Sequence, residues 1–179
     1  LPPPVPLREV AWALRARQDE AAQQAHFGAE LADVDTPTAP YGLDALAGED
    51  ALMREHRLAL PAALADAVRA RARAAGVGLS ALLHLGWALV LGRTAGRQDL
   101  VFGTVLSGRS DPALAQAMGM LINTLPLRVR LQGRGVDEAL RQVQAGLAAL
   151  LRHDQAPLAL AQRCSAVAAP APLFTALFH

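Results

Sequence analysis

The side chains able to do chemistry are few: five histidines, one cysteine and two polar stretches, Ser107-Gly108-Arg109 and Asn123-Thr124 with Arg128 behind it. No two of His26, His56, His84, His153 and His179 lie three or four residues apart, and no His-Glu-x-x-His is present. That spacing does not build a metal site on one helix face. His84 sits in an apolar run, where a histidine is more often a satisfied core residue than a base. Cys164 could act as a nucleophile beside a histidine, but a lone cysteine is more simply a small hydrophobe. Neither a Gly-x-Gly-x-x-Gly nor a Walker loop occurs, so the sequence gives nucleotide binding no support.

The two polar stretches are the better candidates. Ser107-Gly108-Arg109 is a turn that could cradle an anion. Asn123 falls where a loop becomes a strand, and its amide can donate and accept at once. There it would orient either a substrate amide or a neighbouring loop; the plain alternative is a turn-forming asparagine. Beyond it Leu125, Leu127, Val129 and Leu131 share one strand face, and Pro126, Arg128 and Arg130 the other. Arg128 could hold a carboxylate through its planar fork or simply be solvated.

Elements must carry these residues. Leu1 to Pro6 is a proline-rich linker, and Leu7 to Leu31 reads as one helix with Val10, Leu14, Phe27 and Leu31 inward. On that helix Arg15, Arg17, Asp19 and Glu20 form the wet face. Ala32 to Asp50 is a loop, and Leu52 to Leu60 a poorly alternating strand. Pro61 is placed as the first residue of a helix that turns Leu64 and Val68 inward and ends at Gly76. Ser80 is placed as the N-cap of a helix apolar nearly all round and therefore buried. A buried strand, Asp99 to Leu106, follows. Ser107 to Ala117 is a loop that becomes a short helix after Pro112. The strand Leu125 to Leu131 comes next, then a helix capped by Asp137 with Leu140, Val143, Leu147, Leu150 and Leu151 on one stripe. A short helix over Leu158 to Gln162 and a strand over Leu173 to Phe178 complete the order. Alternating helices and strands predict an α/β class, a mixed sheet with flanking helices.

These stretches carry a resemblance. Gly119, Leu121, Ile122, Asn123, Thr124 and Arg128 match, in order, a motif of the condensation domains of nonribosomal peptide synthetases, Gly-x-(Phe/Leu)-(Val/Ile)-Asn-Thr-x-x-x-Arg. The run from Phe102 and Gly103 to Arg109 resembles that family's strand and Gly-Arg turn. "LREVAW" resembles its Tyr-x-Asp-(Phe/Tyr)-Ala-x-Trp motif, with Leu7 for Tyr, Glu9 for Asp and Trp12 in place. His26-Phe27 stands where Tyr-Trp is frequent. His153-Asp-Gln-Ala-Pro157-Leu158 resembles His-Gln-Asp-x-Pro-Phe with Gln and Asp exchanged, and "PLFTALF" resembles the closing Asn-Pro-Leu-Phe strand.

The resemblance implies one lobe of a chloramphenicol-acetyltransferase-like two-lobed fold, with residues 7–31 joining the lobes. The reaction it implies is attack of a carrier-bound acceptor amine on a donor thioester, with phosphopantetheine arms as substrates rather than bound cofactors. It places Asn123, Thr124 and Arg128 as supports of the tunnel and lobe contact, and Ser107, Gly108 and Arg109 as the rim. Trp12, Gly103, Gly119, His153 and Pro157 are motif positions. The family's His-His-x-x-x-Asp-Gly motif is absent from residues 1–179. The expectation is a C-terminal lobe without its N-terminal lobe or extreme C-terminus, inactive by itself. Its expected partners are that lobe, carrier domains and an adenylation domain. The rivals are a coenzyme-A-dependent acyltransferase of the same fold and a noncatalytic recruiting domain; subtypes that also epimerise or cyclise are not separated by this lobe.

The totals agree with a small domain or part of one. The 17 basic residues, all arginine, balance 16 acidic ones for a net charge of +1, which gives no prior for nucleic acid or an acidic membrane. Aromatics at 4% favour helix over an all-β fold. One cysteine excludes an internal disulfide, in keeping with a reducing cytoplasm. The start lacks signal-peptide features, and the most apolar run, residues 79–92, is shorter than the ~20 residues of a membrane span. A lobe without its partner should expose apolar surface and self-associate.

Overall fold

Two adjacent antiparallel strands, β1 (Asp99–Leu106) and β2 (Asn123–Arg130), form the spine of the molecule. A computed structural model describes residues 6–16, 18–43, 54–109, 114, 117 and 119–179. Gly103 faces Pro126 in the β1–β2 register, and Leu106 faces Asn123. A two-residue strand, β3 (Leu177–Phe178), adds to β1 in parallel, giving the order β2-β1-β3. The strand expected over Leu173 to Phe178 is thus shorter. Its earlier part forms a single bridge, Phe174 to Thr38, and the Phe174 ring crosses β1 where a Cβ on Gly103 would lie 2.6 Å away. Gly103 is therefore where a side chain from the chain's end crosses the sheet.

The helices are α1 (Leu7–Ala16), α2 (Glu20–Leu31), α3 (Ala62–Ala74), α4 (Leu79–Ala95), α5 (Val136–Arg152) and α6 (Leu158–Arg163). The single helix expected over 7–31 is broken. Asp19 leaves helical geometry and its carboxylate accepts the Ala22 N–H at 2.9 Å, starting α2 afresh. The break separates two cores. Val10 of α1 packs with Leu114, Ala117 and Leu121, whereas Phe27 and Leu31 of α2 join the main core with Leu91, Leu100, Phe102, Leu125, Leu127, Val129, Leu140 and Val143. Arg17 lies outside the described residues.

Several sequence expectations are corrected. Residues 54–60 form no strand and are exposed throughout; Arg54, Glu55, His56 and Arg57 leave neither side an apolar stripe to bury, and residues 52–53 lie outside the description. Pro61 is the N-cap of α3 rather than its first turn, and Leu64 is exposed while Ala72 is buried. Gly78 caps α4 instead of Ser80, which pairs with His84 inside the helix, and Gly135 caps α5 instead of Asp137. Asp137 instead forms an ion pair with Arg71 of α3. The α4 helix is not buried all round: Ala81, His84, Leu85, Ala88 and Leu91 face inward, but Leu83, Leu89 and Val90 are exposed. Leu151 of α5 likewise points outward. The short helix expected after Pro112 falls largely outside the described residues. No single helix among the described residues is long and apolar enough to cross a membrane.

Candidate functional site

β2 begins at Asn123 rather than Leu125, and Leu125 to Val129 are all buried, so the expected half-exposed alternation does not hold. Helix covers both sides: Gly146 of α5 lies against Leu127, while Arg128 reaches across to Glu30 and Asp33 at the end of α2.

Arg128 is therefore not solvated. Its side chain is 3% exposed. Nε donates to Asp99 Oδ1 at 2.9 Å and Nη2 to Asp99 Oδ2 at 2.6 Å, a bidentate fork. Nη2 also donates to Asp33 Oδ2 at 2.9 Å, and Nη1 to Asp33 Oδ1 and to the Glu30 carbonyl. Hydrogen bonding from Arg128 holds the Asp33 carboxyl down to about 2. The bonds it donates to Asp99 and then to Asp33 raise the guanidinium above its ordinary value. The node ties the sheet to α2.

Asn123 spends its amide on a neighbouring loop. Nδ2 donates to the carbonyls of Asp154 and Ala156, each at 2.8 Å, while Oδ1 accepts the Thr124 N–H at 2.9 Å. Both amide protons are thus committed to the turn between α5 and α6. Gln155 in that turn donates to the Gly108 carbonyl at 3.4 Å. Thr124 sits in β2 opposite Val105, with its methyl beside Gly103.

In the Ser107–Arg109 turn the guanidinium bonds the chain itself. Arg109 Nη1 donates to the carbonyls of Leu114 at 2.8 Å and Ala117 at 2.7 Å, and Nη2 to that of Gly119 at 3.2 Å. The Arg109 N–H reaches Ser107 Oγ at 3.3 Å. Gly108 adopts φ +65°, and a Cβ there would lie 1.8 Å from the Leu121 carbonyl oxygen. Gly119 at φ +149° is also in a region that side chains rarely enter.

Together these grips frame a groove of about 400 Å³ lined by Val10, Leu14, Met120, Leu121, Ile122, Asn123, Gln155, Ala156 and Pro157. Met120 is 89% exposed beside it, and Trp12 of α1 is also exposed. Among the described residues no lining side chain is titratable, so these side chains can shape and desolvate a substrate but do not exchange a proton with it. Pro157, one of the lining residues, is also the N-cap of α6.

His153 caps α5 and its ring stacks on His26 of α2, with centroids 4.6 Å apart and planes 20° apart. Phe27 lies edge-on to His26. Sequence spacing gave no sign of this pair. Burial pushes both rings below the ordinary histidine value. For His26 the other ring lowers it further, against the pull of Glu30; for His153 the next cause is Arg152. His84 is buried, with Nδ1 2.7 Å from the Ser80 carbonyl. Cys164 is partly exposed, with Sγ 3.9 Å from the Gln24 carbonyl. Among the described residues, no three His, Cys, Asp or Glu side chains gather as metal ligands do.

Comparison with known proteins gives this geometry relatives. A family model described as "Condensation domain" matches residues 11–179. Malpinin synthetase of Mortierella alpina is 43% identical over 181 residues, covering 100% of this chain and 2% of that protein. A linear gramicidin synthase polypeptide of Brevibacillus parabrevis is 33% identical over 174 residues, covering 94% of this chain and 2% of the relative. Among solved structures, the SgcC5 protein from Streptomyces globisporus aligns with a TM-score of 0.72 at 22% identity, covering 93% of this chain and 39% of that one. The first condensation domain of the calcium-dependent antibiotic synthetase aligns at 0.67 and 22%, covering 95% and 37%. The chain thus spans 2 to 3% of the length of the curated relatives it matches first.

Proposed function

From the premise that this chain belongs to the condensation-domain family, we propose that it is one lobe, the C-terminal one, of a domain that joins two carrier-tethered aminoacyl groups through an amide bond in a nonribosomal peptide synthetase. The groove under Asn123 serves as part of the tunnel wall. The acceptor amine attacks the donor thioester carbonyl, the amide forms, and the donor carrier's thiol leaves. Phosphopantetheine arms bring both substrates. The wall's contribution is placement: holding two tethered groups together replaces a bimolecular encounter with a near-unimolecular one. Proton transfer falls to residues outside this chain, which is inactive without them. The other lobe, the carrier domains and an adenylation domain are its partners.

One observation carries this reading. Asn123 and Arg109 spend their donors on backbone carbonyls around an apolar groove, which suits a shaped wall better than a site of acid–base chemistry. The test is Asn123→Ala in the whole domain, with two loaded carriers and amide product measured by mass. We expect turnover to fall about tenfold, the weight of roughly 1.4 kcal/mol of lost positioning. Unchanged amide formation would remove Asn123 from the wall. Turnover with free coenzyme A thioesters but not with loaded carriers would instead identify an acyltransferase. Carrier binding without any product would identify a recruiting domain.

A further inference from the structure

The His26–His153 stack links two parts that the sequence keeps far apart. His26 lies on α2, and His153 begins the turn whose Asp154 and Ala156 carbonyls are held by Asn123. The Ala156 N–H also bonds the His153 carbonyl at 2.8 Å, so displacement of His153 is transmitted directly to the turn. Gln155 and Ala156 of the same turn line the groove. The ring contact is therefore one of the supports of the groove's wall.

We propose that His26 and His153 are positioning residues for the groove, and that they hold the 154–156 turn in place only while the stacked pair carries at most one proton. Two imidazolium rings with centroids 4.6 Å apart would repel each other. Charges surround the pair on each packed element. Asp19 at the start of α2 favours a charged His153, and Glu30 on α2 favours a charged His26. Arg152 on α5 opposes both. Arg130 of β2 lines the same cleft as His26 and Glu30. On the α6 side, Cys164 meets α2 at the Gln24 carbonyl. The two carboxylates let one ring gain its proton, while Arg152 and the first charged ring resist the second. Acidification then drives His153 off α2 and loosens the turn. The consequence for activity rests on the groove being a tunnel wall; the coupling of rings to turn does not.

The test is hydrogen exchange of the Ala156 amide and the Asn123 side-chain amide by NMR in the full 179-residue chain, expressed as protection factors so that intrinsic exchange drops out. Both rings are lowered in the folded chain, so the unfolded or opened state binds more protons once pH falls below about 6.5. We expect protection to be flat above that value and to fall below it by up to about a hundredfold per pH unit, the limit for two extra protons, easing to about tenfold once the closed pair holds one. His26→Phe and His153→Phe each keep a stacked ring but leave one histidine that burial still lowers, so each should cap the fall at about tenfold per pH unit, and the double variant should make protection independent of pH. Should either variant fail to fold, the ring Cε1–H shifts of the unaltered chain decide, with two separated midpoints below the ordinary histidine value expected. Protection in the unaltered chain that ignores pH, a double Phe variant that tracks it, or rings that titrate independently would each overturn the proposal. Normal coupling with no matching change in amide formation by the whole domain would count against the tunnel-wall reading instead.

Discussion

Arg109 and Arg128 each lie near the end of a neighbouring strand, yet their surroundings give them different work. Arg128 meets two carboxylates, and its buried guanidinium bridges them at the junction between β2 and α2. Among the described residues, the Arg109 guanidinium meets carbonyl oxygens, and its fork gathers them around one cation. The first fixes a core, so its removal should be felt globally. The second shapes a rim, so its removal should be felt locally.

Arg128→Ala tests the first half and should have the largest effect. It leaves Asp33 and Asp99 facing each other without their cation and abandons the Glu30 carbonyl. Because the two carboxylate side chains are 69% and 43% exposed, the loss should fall below that for a fully buried pair, at about 2 to 3 kcal/mol. Denaturant unfolding reads it; a loss under about 0.5 kcal/mol would show that the node is ornamental. Arg128→Lys should recover only part, because an ammonium cannot form the fork.

Gly108→Ala should come next. It places a methyl at 1.8 Å from the Leu121 carbonyl oxygen and forces φ +65° on a residue with a Cβ. A loss of about 2 kcal/mol is expected, with chemical shifts moving at residues 119–123 and little change at α2. Shifts spread over the whole sheet would erase the distinction between rim and core.

Arg109→Ala should lower stability by only about 1 to 2 kcal/mol, because the carbonyls it frees belong to the small separate core of Val10, Leu114, Ala117 and Leu121, but should sharply raise exchange and proteolysis around Leu114 to Gly119. Equal global unfolding energies for Arg109→Ala and Arg128→Ala would break the comparison. The smallest effect concerns acid. Asp33 is held at about 2 in the folded chain, below the ~3.9 of an unfolded aspartate. Its stabilisation is therefore full above pH ~4 and is lost as pH falls toward 2. Asp33→Asn should flatten the stability curve over that window, and an unchanged curve would mean that Asp99 alone serves Arg128.

Much of the scaffold was legible. The apolar stripe of α5, the Gly76 that follows α3 and the buried run of β1 all follow local rules of period and capping. Errors arose where a local rule had a competitor. The Asp19 cap interrupted a pattern that read as continuous helix, and residues 54–60 alternated too weakly to pair. The burial of both β2 faces was hidden because the second cover, α2, contributes an acidic end rather than a leucine stripe.

The sequence by itself determined the order of motifs, the family they mark, and glycines such as Gly76 and Gly108 where the backbone turns. It also showed that Asn123 and Arg128 were polar groups at telling positions, with two or three open fates each. Only the tertiary structure chose among those fates. Asn123 finds carbonyls 31 and 33 residues away, and Arg128 finds carboxylates 29 and 95 residues away. Period and propensity act over a few residues of chain, whereas a hydrogen bond, an ion pair or a ring stack depends on which surfaces packing brings together.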